Sequence, residues 1–173
     1  MKRAWVAVLV VAATAVLSPT LFAQNNPRGK AAVDLNGTKV SVEYGRPSLN
    51  GRTVDALLGQ LPAGGFWRLG ADKSTTFSTS GDLAFGDVAV PKGDYSLWAQ
   101  KQADNSWKLV FNKQHGQWGT SHDPAQDFAS VPLKAEKEGS AQQVTIKLEK
   151  EHGDGEISIQ WGNMELSTTF KAK

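Results

Sequence analysis

The chain has 173 residues, 40% apolar and 21% charged, and contains no cysteine, so a single hydrophobic core without disulfides is expected. Its formal charge of +2 comes from 19 Lys and Arg against 17 Asp and Glu, and two of the bases, Lys2 and Arg3, stand at the extreme amino terminus. The remainder is formally neutral, which argues against a nucleic-acid binder and gives no overall field for anionic membranes or substrates.

Lys2 and Arg3 precede an apolar run from Ala4 to Leu17, which Ser18 and Pro19 end. Leu21-Phe22-Ala23 then places a small residue at a cleavage point, so residues 1–23 are expected to be a secretory signal peptide. The run is shorter than the roughly 20 residues of a spanning helix. Without cysteine there is no lipid attachment to a processed end. Residues 24–173 would form one exported domain, periplasmic or secreted, with no membrane span.

Gln24 to Lys30 is polar and reads as a flexible or edge-lying lead-in. From Thr38 the pattern has period two, with Val40, Val42 and Tyr44 alternating with polar residues. Thr53 to Leu58, closed by Gly59, predicts a short helix. Shorter strands are predicted at Phe66–Leu69, Thr75–Thr79, Leu83–Val90 and Tyr95–Gln100, with a tight turn at Pro91-Lys92-Gly93-Asp94. Alternation returns at Trp107, Leu109 and Phe111. Asp123-Pro124-Ala125-Gln126 carries a capping residue followed by proline, which predicts one helical turn. Val144 to Leu148 and Ile157 to Trp161 alternate again. His152-Gly153-Asp154-Gly155 and Gly162-Asn163 supply hairpin tips. The expectation is an all-β antiparallel sandwich or barrel, one domain, with one or two short helical turns.

The three histidines, His115, His122 and His152, fit no ligand-dense spacing, so no metal or other cofactor is expected. No serine lies in a nucleophile elbow. More unusual are arginines and tryptophans beside glycines: Gly45-Arg46, Gly51-Arg52, Trp67-Arg68-Leu69-Gly70-Ala71-Asp72, and Asn112-Lys113 with Gly116-Gln117-Trp118-Gly119. Arginine beside aromatics suits a planar or anionic group. The candidate ligand-binding residues are Arg46, Arg52, Trp67, Arg68, Asp72, Thr75, Lys113, His115 and Trp118. The alternative is structural: Arg46 or Arg68 pairs with Asp72 or another carboxylate to lock loops, while Trp67, Trp107 and Trp161 fill the core.

These clusters run in order from Tyr44-Gly45-Arg46-Pro47-Ser48 through Trp67-to-Asp72 and Thr75-Thr76-Phe77. Val90-to-Leu97, Phe111-Asn112-Lys113, Gly116-to-Gly119, Asp127, Val131-Pro132 and Gly155-to-Trp161 continue them. The set resembles the family called domain of unknown function 2911, exported bacterial proteins without an assigned activity, over about Pro27 to Phe170. Leu61-Pro62-Ala63-Gly64-Gly65 lacks the family's tyrosine, Asp72 stands where asparagine is usual, and His122-Asp123 stands near a usual Tyr-Asp. The resemblance implies export and a β-rich domain, and no reaction.

Three functions fit. One is a module binding a small ligand, glycan or envelope partner, without nucleic acid. The second is a periplasmic hydrolase built from Arg46, Arg68, Asp72, Lys113 and His115. The third is a purely structural envelope protein.

Overall fold

The computed structural model describes residues 26–173; the expected leader and its cleavage point lie outside them. Twelve strands follow in chain order: β1 (Arg28–Leu35), β2 (Thr38–Gly45), β3 (Phe66–Trp67), β4 (Thr76–Thr79), β5 (Leu83–Phe85), β6 (Val88–Val90), β7 (Gly93–Lys101), β8 (Trp107–Asn112), β9 (Asp127–Glu136), β10 (Ala141–Glu151), β11 (Asp154–Gly162) and β12 (Met164–Ala172). The single α-helix among the described residues, α1 (Val54–Leu58), is capped by the Thr53 hydroxyl, which accepts from Ala56 N. A 3-10 turn at Pro124–Gln126 is capped by the Asp123 carboxylate.

The strands form one antiparallel sheet in the order β1-β2-β4-β7-β8-β9-β12-β11-β10, curled until its two ends meet. β3 lies on β7, and the β5–β6 hairpin joins β12. Strand accounts for 57% of the described residues, and the sheet is nearly closed, so the barrel member of the expected pair is the one formed. His152-Gly153 and Gly162-Asn163 turn the two hairpins expected of them, pairing Glu151 with Asp154 and Trp161 with Met164.

Three segments depart from the sequence expectation. Of the lead-in, Arg28 to Lys30 already belong to β1, an edge strand that runs on to Leu35 and whose hairpin to β2 turns on Asn36-Gly37, both at positive φ. Its Gly, Lys and Ala residues hide the alternation because one face packs only lightly. Leu83–Val90 is a hairpin rather than one strand, because Gly86 at φ 57° reverses the chain. β9 carries Pro132, which usually argues against a strand. It precedes Lys134–Glu136, the only part of β9 paired with β12, so the missing N–H leaves that second ladder intact.

The sheet closes through side chains at its seam. The Tyr44 hydroxyl accepts from Ile146 N at 2.9 Å and is placed to donate to Ile146 O at 3.2 Å, both groups on β10. Val144 N donates to Pro47 O and Leu49 N to Gln142 O, so the chain leaving β2 completes the edge of β10. Gly29 is obligatory opposite Tyr44: a Cβ there would lie 2.7 Å from the phenol ring. Inside, Phe77, Phe85, Phe111 and Phe170 pack edge-on and stacked around one end of β8. At the other end Trp67 stacks on Trp161, with ring centroids 5.6 Å apart and planes 10° apart, and meets Trp107 edge-on.

Candidate functional site

β7 and β8 are buried on both faces. Leu97, Ala99, Leu109 and Phe111 belong to the barrel core, yet Ser96, Trp98, Val110 and Asn112 on the alternate positions are also buried. Two loop segments, 68–75 and 113–126, cover this outer face. They pair with each other: Ser74 N donates to Gln117 O, Gly119 N donates to Asp72 O at 2.7 Å, and Lys73 bridges Trp118. Asn112 pins the second segment by donating to Asp123 O and Asp127 Oδ1, each at 2.8 Å. Trp98 Nε1 and Gln117 Nε2 both donate to the Ser96 hydroxyl, which satisfies the polar groups trapped beneath.

The first segment bends sharply. Leu69 and Asp72 both stand at positive φ, a conformation that is strained for leucine in particular. Thr75 stabilises the bend, its hydroxyl reaching Leu69 O at 3.1 Å. Gly45 allows the loop to lie against β2, since a Cβ there would sit 2.1 Å from Ala71 O.

Where the two segments diverge they leave a cleft of about 460 Å³. Leu61, Phe66, Trp67 and Trp98 form its apolar wall; Arg68, Thr120 and His122 supply its polar groups. His122 Nε2 lies 2.9 Å from Asp127 Oδ1, and its ring packs against Phe66 and Trp98 at centroid distances of 4.1 and 4.6 Å. The carboxylate that orients this imidazole is itself held by Asn112. Arg68 is half-buried, and among the described residues its guanidinium has neither an ion pair nor a hydrogen-bond partner. Its stem passes Gly119, where a Cβ would come within 3.1 Å of Arg68 Cδ.

The nine sequence-predicted residues scatter. Arg46 spans the seam, donating to Val144 O at 3.3 Å and lying 3.5 Å from Thr145 Oγ1. Arg52 binds the carbonyls of Leu49 and Ser48 in its own loop. Thr75 holds the bend. Asp72 accepts from Asn26 N at 2.7 Å, so the expected Arg–Asp72 pair is absent and the carboxylate fastens the start of β1 instead. Lys113 stands 5.0 Å over the Phe128 ring. His115 lies in a separate polar groove with Arg28, Lys30 and Lys73. Trp118 is 53% exposed between groove and cleft. Only Trp67 and Arg68 reach the cleft, and Trp67 also fills the core as the structural alternative required. The five residues of the hydrolase alternative are not brought together.

Phe66, Trp98, Thr120, His122 and Asp127 complete the site without having been named for it. The spacing of His122 and Asp127 carried a weak signal, an imidazole and a carboxylate flanking a capped turn. Phe66 and Trp98 carried none, because alternation assigns an aromatic to a strand without saying which face is roofed. Among the described residues no group of three or more His, Asp or Glu side chains is placed to hold a metal ion.

No curated protein and no solved structure matches the chain. The model of a family described as protein of unknown function, DUF2911, matches residues 26–170, which includes both covering segments and all of the barrel except the last two residues of β12. The chain therefore belongs to the DUF2911 family.

Proposed function

We propose that this protein is an exported binding module whose ligand enters the cleft beside Phe66, Trp98 and His122 and presents an anionic group to Arg68. One observation carries the reading: a half-buried guanidinium without a partner, set against an aromatic wall. An arginine that serves the fold is normally satisfied by carbonyls or carboxylates, as Arg46 and Arg52 are. A guanidinium left over in a concave aromatic site is suited to bidentate capture of a carboxylate, sulfate or phosphate. The apolar wall would take the flat or non-polar body attached to that group.

A panel of small carboxylates, sugar acids and phosphorylated sugars, read by thermal shift, tests this. A binder should stabilise the wild type in a concentration-dependent way. That shift should vanish in Arg68→Ala and survive in Lys113→Ala. A ligand whose shift is indifferent to Arg68 would place the site elsewhere.

The hydrolase reading draws on a different observation, the His122–Asp127 pair in the same cleft. A carboxylate that orients an imidazole is half of a general-base arrangement. Turnover of simple esters or glycosides that is lost in His122→Ala would favour it over binding alone.

A further inference from the structure

We infer that the cleft is one end of an extended face that takes an acidic polysaccharide chain, with Trp118 as a stacking platform and a second, hydroxyl-lined subsite on β1, β2 and β4. The inference rests on the cleft reading and adds the class of ligand to it.

The second subsite is a groove of about 300 Å³ on the outer face of the sheet. Ser41 and Ser78 are partners in register across β2 and β4, and Thr76, two positions along β4 on the same face, also borders the groove, so hydroxyls line its floor. Lys30 and Lys73 border it, and among the described residues neither ammonium has an acidic partner. The one carboxylate there, Glu43, is engaged by Arg28 at 3.1 Å. The chain as a whole is formally neutral once Lys2 and Arg3 are set aside, so these cations form a local feature and not part of a general basic field.

The paired segments join groove to cleft. Gly116 and His115 touch the groove, Gly119 and Thr120 touch the cleft, and Trp118 lies between them. The three chain steps from Gly116 to Gly119 can span at most about 10 Å, so the two hollows lie within reach of one ligand of linked rings. Trp118 is the most exposed large apolar side chain among the described residues, while its backbone is fixed by the bridge to Lys73. A tryptophan held rigidly in solvent has no part in the core, and its face suits the apolar side of a sugar ring. Cations at both ends, hydroxyls in a row and one platform between them match a linear glycan bearing carboxylates or sulfates. A single phosphate ion would use neither the platform nor the distance.

The test is titration of the full mature protein, followed by tryptophan fluorescence, at low salt. Probes are digalacturonate, hexagalacturonate, a heparin hexasaccharide, cellohexaose and a thymidine hexanucleotide. At least one acidic hexasaccharide should bind roughly tenfold or more tighter than cellohexaose and than digalacturonate, and should weaken as salt is raised. Trp118→Ala and the double variant Lys30→Ala/Lys73→Ala should each lower hexasaccharide affinity about tenfold while leaving digalacturonate binding unchanged. Trp118→Phe should restore part of the loss, and thermal melts should confirm that all these surface variants fold. Digalacturonate binding that needs Arg68, with hexasaccharide affinity indifferent to Trp118 and both lysines, overturns this inference and leaves the cleft reading intact. Loss of all Arg68 dependence overturns both. Tighter binding of the thymidine hexanucleotide than of either acidic hexasaccharide overturns the ligand class.

Discussion

Arg46 and Arg68 are the same residue type in comparable settings, each beside glycine and an aromatic at the end of a strand, and the fold uses them in opposite ways. Arg46 stands at the seam, where β1 and β10 meet without a continuous backbone ladder. There its guanidinium satisfies Val144 O next to the Tyr44–Ile146 pair. Arg68 stands in the cleft with nothing to satisfy. The difference lies in the neighbouring backbone. A seam without a continuous backbone ladder leaves carbonyls such as Val144 O that need side-chain donors, whereas the loops around Arg68 pair with each other. A motif arginine is therefore assigned to structure or to ligand by what the adjacent backbone lacks.

The largest test of this contrast is at the seam. Tyr44 is buried, and its hydroxyl serves both the N–H and the C=O of Ile146. Tyr44→Ala should cost about 3–5 kcal/mol, the usual range for deleting a buried aromatic. Tyr44→Phe keeps the ring but strands both backbone groups, at about 1–3 kcal/mol. Urea denaturation measures both, and a Tyr44→Phe midpoint equal to wild type would remove Tyr44 as the closing strut.

Gly119→Ala probes the boundary between the two roles. The added methyl would meet Asp72 O at 2.7 Å and Arg68 Cδ at 3.1 Å. A cost of about 1–3 kcal/mol is expected from displacing the paired segments, together with weakened ligand binding as Arg68 is pushed aside. Unchanged stability with unchanged binding would mean that the segments pack less closely than described.

The seam and the cleft were unequally legible in the sequence. Val40, Val42 and Tyr44 announced a half-buried strand because one face meets the core and the other meets water. Burial of Trp67, Trp107 and Trp161, the structural alternative resting on the usual burial of tryptophan, is what the core shows. Closure through the Tyr44 hydroxyl was invisible, since it joins residues 102 positions apart. The site was only half legible: Trp67-Arg68 stood out as a dipeptide, whereas Trp98 gave no sign that loop 113–126 would bury its outward face. The pairing expected between Arg68 and Asp72 failed because Asp72, at φ 62°, directs its carboxylate to Asn26.

The smallest effect separates the two tyrosines in the chain. Tyr95 donates to Pro91 O, and burial, reinforced by the carboxylates of Asp82 and Asp94, raises its pKa above the ordinary 10.0. Because the folded state holds this proton more tightly, the associated stability is present below pH 10 and falls as pH rises through the folded value. Absorbance titration of Tyr44→Phe, which retains Tyr95 alone, should show ionisation later than in the unfolded chain. Tyr95→Phe should lose less stability than wild type above pH 10. An ordinary titration midpoint would contradict the burial argument.

The most direct test of the central claim is chemical denaturation of Arg68→Ala. A guanidinium reserved for a ligand contributes little to the empty fold, so the variant should unfold within about 1 kcal/mol of wild type, with an unchanged denaturant slope. A loss of about 3 kcal/mol or more, the cost of breaking a buried ion pair, would contradict the account and return Arg68 to the structural role that Arg46 fills.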